Sequence, residues 1–165
     1  ITATTPAAWT ALYEHLFGRD LVARVSFEFL PLDAPLRHLL VDPDRAAPTL
    51  YTSLWLRLVD VPGALAERSY SVPFEGVIEV TDRYAPWNAG RWHVKAGTGG
   101  ARVEATDAEP DLGLDAAHLG AAYLGQTTLD GHLRAGLLTE HTPGAVERLD
   151  RALHRAQAPF CGLIF

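Results

Sequence analysis

The sequence predicts an α+β fold, in which helices pack on one face of a small, mainly antiparallel sheet that follows the tail of another domain. Three observations predict it. Residues 53–70 change from a two-residue to a helical hydrophobic period. Short apolar runs bounded by Gly, Pro and Asp then follow one another from residue 74 to residue 114. Three capped helical patterns fill the remainder, from residue 115 to residue 156.

The chain opens with a helical pattern. Thr5 is placed to cap a helix, Pro6 suits its first turn, and Gly18 ends it. The apolar positions between them share one face, which predicts an amphipathic helix. These positions are Trp9, Leu12, Tyr13, Leu16 and Phe17.

Residues 21–30 alternate as a strand, residues 34–40 favour a short helix, and residues 41–48 form a linker. One helix, one strand and one short helix are too few to bury a core. We therefore expect residues 1–50 to be the tail of a preceding domain and residues 51–165 to form a second domain.

The segment around residue 60 joins a strand directly to a helix. Leu54, Leu56 and Leu58 fall on one strand face, and Trp55, Arg57 and Val59 fall on the other. Asp60 then stops the strand and caps a helix that begins near Pro62 and continues to Arg68.

The remaining elements follow in order. Strands are predicted at residues 74–81, 90–95, 101–105 and 111–114, with the turn of a meander at Gly97–Gly100. Helices are predicted from the Asp115 cap to Tyr123, from Thr128 to Ala135, and from Pro143 to Ala156.

Composition limits the function. The net charge of −6 comes without a basic tract, which argues against nucleic acid or an anionic membrane as a partner, and an acidic surface favours cationic ligands. Cys161 is the single cysteine, so a disulfide framework and a multi-cysteine zinc site are excluded and the cytoplasm is the simplest compartment. Because the chain starts at Ile1 and contains no methionine, we expect it to begin inside a longer protein.

The last eight residues, APFCGLIF, carry four large apolar side chains. Exposing them is costly, so we expect a buried chain end. Burial would raise the pKa of the terminal carboxylate towards the range of a general base. The alternative is a strand that closes the sheet with its carboxylate in water.

Four blocks together resemble the C-terminal part of the Eis (enhanced intracellular survival) proteins, actinobacterial acetyltransferases of the GNAT superfamily. The blocks are residues 54–68 (LWLRLVDVPGALAER), 88–92 (NAGRW), 112–125 (LGLDAAHLGAAYLG) and 159–165 (PFCGLIF). The resemblance implies that residues 1–50 end a central GNAT-like domain and that residues 51–165 form a sterol-carrier-protein-like domain.

The resemblance also implies an activity. The Eis proteins transfer acetyl groups from acetyl-CoA to amines of small molecules or peptides, aminoglycosides included, and commonly form hexamers. Their C-terminal carboxylate is the general base, a role that falls on Phe165. The acetyl-CoA site and a tyrosine general acid belong to the N-terminal domain, so Tyr51, Tyr70, Tyr84 and Tyr123 are not assigned that role. This chain lacks the GNAT pyrophosphate signature, and we expect it to be inactive alone. Ile164 stands where some members have an acidic residue, which leaves the amine acceptor open.

Other residue groups favour structural roles. Gly97–Gly100 favours a hairpin turn over a phosphate cradle. The seven histidines show no metal-ligand spacing, Cys161 favours a buried apolar position, and Trp55 and Trp92 favour the core. The acidic residues near turns favour a solvated rim over a cation site; these are Asp82, Asp107, Glu109 and Asp111.

Two other classes of function remain. A lipid-binding module would need an apolar tunnel lined by residues such as Leu112, Leu119, Tyr123 and Leu133. An oligomerisation scaffold would need no ligand.

Overall fold

The computed structural model describes residues 1–50, 52, 54–97 and 99–162. The chain divides into two compact units, residues 1–53 with 160–165 and residues 54–159. Among the described residues, the helices are all too short or too polar to cross a membrane.

The first unit contains two helices. Helix α1 runs over Pro6–Phe17, and the Thr5 hydroxyl accepts a hydrogen bond from the Ala8 N–H at 3.2 Å. Gly18 ends it by donating to the Glu14 carbonyl at 2.8 Å. Helix α2 covers Leu36–Leu39, and a 3-10 turn follows at Pro43–Ala46. Both predicted helices are confirmed, the second with a shorter span.

Aromatic packing organises this unit. The Tyr13 ring is buried and lies 5.6 Å from Trp9, 6.3 Å from Phe17 and, edge-on, 5.9 Å from Phe27, measured between ring centres. The strand predicted over residues 21–30 is wrong, because these residues, all of which the structure describes, form no strand. A strand needs a ladder partner, and the described part of the unit offers none.

The second unit holds the sheet. Its strands are β1 (Phe74–Thr81), β2 (Gly90–Gly97), β3 (Gly100–Ala105), β4 (Leu112–Asp115) and β5 (Leu138–Glu140). Its helices are α3 (Val61–Glu67), α4 (Ala116–Ala122), α5 (Leu129–Arg134) and α6 (Ala145–Leu153), with a 3-10 turn at Pro86–Asn88. Every helix and strand predicted between residues 60 and 156 is present, whereas β5 and the 3-10 turn at Pro86–Asn88 were not predicted.

The five strands lie in the order β3-β2-β1-β4-β5. All neighbours are antiparallel except β1 and β4, which are parallel with Ile78 opposite Leu112. This confirms a mainly antiparallel sheet. The hydrophobic period does not reveal the parallel pair, because it shows which side of a strand is buried and not which way its neighbour runs.

The two sides of β1 differ in burial. Phe74, Ile78 and Val80 are buried in the core, whereas Glu75 and Glu79 carry ion pairs on the opposite side. Side chains from all four helices of this unit join the same core, which confirms that the helices cover one face. They include Val61, Leu65, Leu119, Leu129, Val146 and Leu149.

A side chain of α6 caps helix α5. Thr128 occupies the predicted cap position, but its hydroxyl makes no capping bond. The Asp150 carboxylate instead accepts hydrogen bonds from the N–H groups of Leu129, at 2.7 Å, and Asp130, at 2.9 Å. The two helices are thereby joined end to side.

The strand predicted over residues 54–59 is wrong as a paired strand. Its described residues alternate in burial, with Leu58 5% exposed and Trp55 83% exposed, but they pair with no strand among the described residues. Trp55 is therefore not a core residue, which corrects a second expectation. Trp92 does pack against the core, half-buried.

Two glycines of the 112–125 block are required by close packing. A Cβ at Gly120 would lie 2.9 Å from the Leu56 carbonyl oxygen. Gly125 has φ +83°, and a Cβ there would lie 2.3 Å from the Leu153 carbonyl oxygen. The backbones of residue 56 and of the end of α6 approach helix α4 only because these positions lack side chains.

Candidate functional site

The predicted catalytic group, the carboxylate of Phe165, lies outside the described residues, as do Leu163 and Ile164. The segment leading to it is described as far as Gly162. Ala158 is buried, whereas Phe160 is 50% exposed and Cys161 is half-buried. The predicted burial of the chain end is therefore wrong for Phe160, and Cys161 is only partly buried.

The chain that follows α6 is fixed to the second unit by main-chain contacts. The Ser71 N–H donates to the Ala152 carbonyl at 2.9 Å, and the Ser71 hydroxyl donates to the His154 carbonyl. The Arg155 N–H donates to the Gly125 carbonyl at 3.2 Å, and its guanidinium donates to the Ser69 carbonyl at 2.8 Å. The C-terminal segment thus starts from a fixed point.

A buried arginine lies beside this fixed point. Arg68, 9% exposed, donates to the carbonyls of Tyr123 and, at 2.7 Å, of Leu153. Its guanidinium carbon lies 5.1 Å and 5.2 Å from the ring centres of Tyr70 and Tyr123. We call Arg68, Tyr70 and Tyr123 the arginine network.

The acceptors in the arginine network are placed to stabilise a cation. Both carbonyls are at the C-terminal ends of helices, α4 and α6, where unpaired carbonyls carry partial negative charge. The two ring faces add cation–π attraction. Among the described residues no carboxylate pairs with Arg68. Burial, the largest cause, lowers the pKa of Arg68.

The two tyrosines of the network have structural hydroxyl groups. Tyr70 donates to the Leu65 carbonyl at 2.6 Å, and Tyr123 donates to the Ala64 carbonyl at 2.9 Å, so both hold the end of α3. Burial raises the pKa of Tyr70 to about 12. A phenol held in this way is a poor proton donor at neutral pH. Tyr51 lies outside the described residues, and Tyr84 is exposed.

A second network joins two buried side chains, Asp82 and Asn88, to Arg57, whose side chain is 40% exposed; we call it the asparagine network. Asn88 is fully buried; its amide oxygen accepts from the Val61 N–H at 2.9 Å, and its amide nitrogen donates to Asp82 at 3.0 Å and to the Leu58 carbonyl at 3.2 Å. Asp82 also pairs with Arg57.

The charge of Asp82 is stabilised by donors. The Asn88 amide, with the N–H groups of Ala85 and Tyr84 and the Arg57 guanidinium, lowers the pKa of Asp82 to about 2. The solvated rim predicted for Asp82 is therefore wrong, because the carboxylate organises the loop after β1.

The other three acidic residues of the predicted rim have different environments. Glu109 is exposed and pairs with Arg91 at 3.4 Å, as a rim residue would. Asp107 offers its carbonyl to Arg91 at 3.4 Å. Asp111 is half-buried and accepts from the Val77 N–H at 2.8 Å, so its role is to fix the start of β4 beside β1.

The remaining candidates are placed as follows. Gly97 and Gly100 face each other across the β2–β3 hairpin, as predicted, and Thr98 between them lies outside the described residues. His118 and His132 have ring centres 4.8 Å apart, and burial, with His118 nearby, lowers the pKa of His132. In the part of the chain that the structure describes, no three metal-binding side chains converge.

Comparison with known proteins gives the family. Residues 61–162 match the sequence model of the sterol carrier protein domain, and residues 1–58 match that of the acetyltransferase (GNAT) domain. An uncharacterised N-acetyltransferase of Streptomyces avermitilis is 39% identical over 160 residues, covering 97% of this chain and 39% of the relative. The N-acetyltransferase Eis of Mycobacterium tuberculosis is 36% identical over 156 residues, covering 92% of this chain and 37% of Eis.

The chain belongs to the sterol carrier protein domain family, and it is similar to the C-terminal part of the Eis-like N-acetyltransferases. Among solved structures, Eis1 from Mycobacterium abscessus matches with a TM-score of 0.86 and 39% identity, over 99% of this chain and 42% of Eis1. The family resemblance read from four sequence blocks is confirmed. The chain spans about two fifths of the length of these relatives.

The interior of the sterol carrier protein domain of this Eis-like chain is packed at the four residues expected to line a lipid tunnel. Leu112 and Leu119 are fully buried, and Tyr123 and Leu133 pack against the same core. A surface cavity of about 240 Å³ is lined by residues 89–92 and 105–107, and none of those four residues lines it. The described residues therefore give the lipid tunnel no support at the position expected for it.

Sequence reasoning missed both buried networks. The sequence pattern places Arg68 at the end of a helix and Asn88 in the NAGRW block, and neither position indicates a network. The block NAGRW contained a usable signal, because an Asn held in a short loop between two strands is placed to bond several backbone groups at once.

Proposed function

We propose that this chain is the C-terminal region of an acetyl-CoA-dependent N-acetyltransferase that acts on amines, and that it supplies the Phe165 carboxylate as general base. The observation that carries the proposal is its identity of 36–39% with N-acetyltransferases over more than nine tenths of the chain. The division into residues 1–50 and 51–165 is part of the same proposal.

The proposed role follows from the chemistry of amines. An ammonium group has no lone pair for attack, so its proton must first move to a base. A carboxylate within hydrogen-bond distance accepts that proton and attracts the cation. The neutral amine then attacks the acetyl thioester of acetyl-CoA, which the longer protein would hold in its acetyltransferase domain. The residues of this chain contribute the proton acceptor and part of the substrate wall.

The anchoring of the chain end supports this role. Contacts at Ser69, Ser71 and Gly125 fix the chain as far as Arg155, and Ala158 is buried. The seven residues after Ala158 can span about 25 Å when extended. Such a tether is long enough to carry a carboxylate away from its own domain.

The finer features are part of the proposal as well. They are aminoglycosides or peptide lysines as acceptors, a homo-oligomer with the hexamer as the expected form, and a cytoplasmic location. Ile164 favours acceptors that need no second carboxylate beside the terminal one.

The test is a one-residue extension of the full-length protein. Adding one glycine after Phe165 moves the carboxylate by about 3.5 Å, far enough to break a catalytic contact. We expect turnover of an amine panel (polyamines, aminoglycosides and lysine peptides) to fall at least about 100-fold, with acetyl-CoA binding unchanged. The matched control inserts one glycine after Gly136, in an exposed turn with open space around it.

Each outcome of the experiment tests a different part of the proposal. Full activity of the extended protein would make Phe165 a structural end only. A wild-type protein that acetylates none of the amines would remove the acetyltransferase assignment. The present chain alone should acetylate nothing, and turnover by it would show that an acetyl-CoA site lies within these residues.

A further inference from the structure

Two histidines of the second unit meet between helices α4 and α5. His118 lies in the first turn of α4, His132 lies in α5, and their ring centres are 4.8 Å apart. Both residues are half-buried, so they remain partly open to solvent. They belong to different helices and only the fold brings them together, which is why the spacing of histidines in the sequence does not reveal them. We call these two residues the histidine pair.

Hydrogen bonding and stacking do not explain why the two rings meet. Their planes are tilted by 54°, so the rings are not stacked face to face. Among the residues that the structure describes, neither ring makes a hydrogen bond, and the Nδ1 atom of His132 is buried without a partner. A buried polar atom without a partner costs free energy, and in native proteins a water molecule or an ion commonly satisfies such an atom.

The separation of the rings fits two ligands of one metal ion. An ion at about 2.0–2.1 Å from one nitrogen of each ring lies about 3.2 Å from each ring centre, so a tetrahedral angle at the metal sets the two centres about 5 Å apart. The observed 4.8 Å agrees with that distance. The tilt agrees as well, because the nitrogen lone pairs lie in the ring planes, and only tilted planes meet at one point.

The charge beside the histidine pair favours a cation. The Asp150 carboxylate interacts electrostatically with His132, in the direction that stabilises positive charge there. This carboxylate accepts hydrogen bonds from the N–H groups of Leu129 and Asp130 and makes no ion pair among the described residues, so its negative charge is not neutralised. A divalent ion on the pair would therefore lie in a field that attracts it.

We propose that the histidine pair binds a divalent transition-metal ion, with Zn²⁺ as the expected one, through one nitrogen of each ring and with water in the remaining coordination positions. Imidazole is a ligand that suits zinc. The ion would join α4 to α5, a helix of only six residues that depends on its neighbours to persist. This inference goes beyond the proposed function and does not depend on it.

Zinc titration of the untagged full-length protein tests the site. We expect His118→Gln and His132→Gln each to weaken one zinc-binding event at least about tenfold, because each removes one of only two protein ligands. His154→Gln, at an exposed histidine after α6, is the matched control and should leave that event unchanged. Isothermal titration calorimetry measures the binding, and thermal melts without zinc check that each variant is folded.

Hydrogen exchange locates the bound ion in the wild-type protein, without any substitution. If zinc joins α4 to α5, an opening that separates the two helices must first release the ion. Exchange through such openings should slow about tenfold when free zinc is at ten times its dissociation constant. We expect this slowing in α4 and α5, and β2 is the internal control in which exchange should not change.

Three results would overturn the proposal. The first is zinc binding of equal strength in the wild type and in the double variant His118→Gln/His132→Gln, since other residues would then hold the metal. The second is a wild-type protein that binds no zinc, and the third is bound zinc that leaves exchange in α4 and α5 unchanged. If a variant fails to fold, exchange in the wild type decides alone. Acetylation by any of these proteins tests only the proposed function.

Discussion

The two buried networks of the second unit stabilise charge in different ways. In the asparagine network, Asp82 and Arg57 form an ion pair, and Asn88 links it to the backbone. In the arginine network, Arg68 has main-chain carbonyls and two ring faces as partners. The comparison shows that a buried charge can be stabilised by the ends of helices as well as by an opposite charge. It also predicts that substitutions in the two networks lower the free energy of unfolding by different amounts.

The largest effect should come from the arginine network. Arg68→Met fills most of the volume but leaves the Tyr123 and Leu153 carbonyls without their donor. We expect the free energy of unfolding to fall by about 3 kcal/mol, from two buried acceptors left unsatisfied. Urea denaturation measures it. Arg102→Met, at an exposed arginine of β3, is the matched control and should change stability by less than about 0.5 kcal/mol. A loss as small at Arg68 as at Arg102 would mean that the helix-end carbonyls contribute nothing.

A smaller loss is expected in the asparagine network. Asn88→Ala removes the acceptor of the Val61 N–H and the donors to Asp82 and to the Leu58 carbonyl. Two of these three partners, Leu58 and Val61, lie in or beside the segment 54–59 at the surface of the unit. We expect about 2 kcal/mol. Hydrogen exchange should also accelerate at residues 54–61 more than in β2, since Asn88 holds that segment. Uniform acceleration across the unit would contradict this local role.

The smallest effect should be a pH dependence specific to Asp82. Its folded pKa of about 2 lies below the usual value for Asp, so the unfolded state binds more protons between about pH 4 and pH 2. The stability that Asp82 contributes is therefore complete above about pH 5 and is lost as the pH falls through that window. The Tm difference between wild type and Asp82→Asn should shrink from pH 6 to pH 2. A constant difference would show that the charge of Asp82 has no part in its network.

The sequence predicted the second unit far better than the first. From Asp60 to Leu153 the predicted elements are confirmed because their signals are local: caps at Asp60 and Asp115, alternation along β1, and the glycine-bounded hairpin of β2 and β3. The predicted strands at 21–30 and 54–59 carry the same alternation but lack partners among the described residues. Periodicity records a strand's preference, and pairing depends on other parts of the chain.

The site was predicted by resemblance and not by physical reasoning from the residues. Nothing in the spacing of Pro159–Phe165 specifies a base, and the assignment of Phe165 came from the family pattern. Cap and periodicity rules could not reveal Arg68 as a network centre, because its partners, at residues 123 and 153, are brought to it only by the tertiary fold. Alternation predicts a buried Trp55, because a large aromatic side chain in an alternating run is typical of a core position.

The Asp150 cap has a consequence for how the protein opens. Helix α5 has six residues, fewer than an isolated helix needs to persist in water, and the acceptor for its first two N–H groups belongs to α6. Unwinding α6 near Asp150 would therefore release α5 at the same moment. The two helices should behave as one cooperative unit, with amide protons that exchange at a common rate.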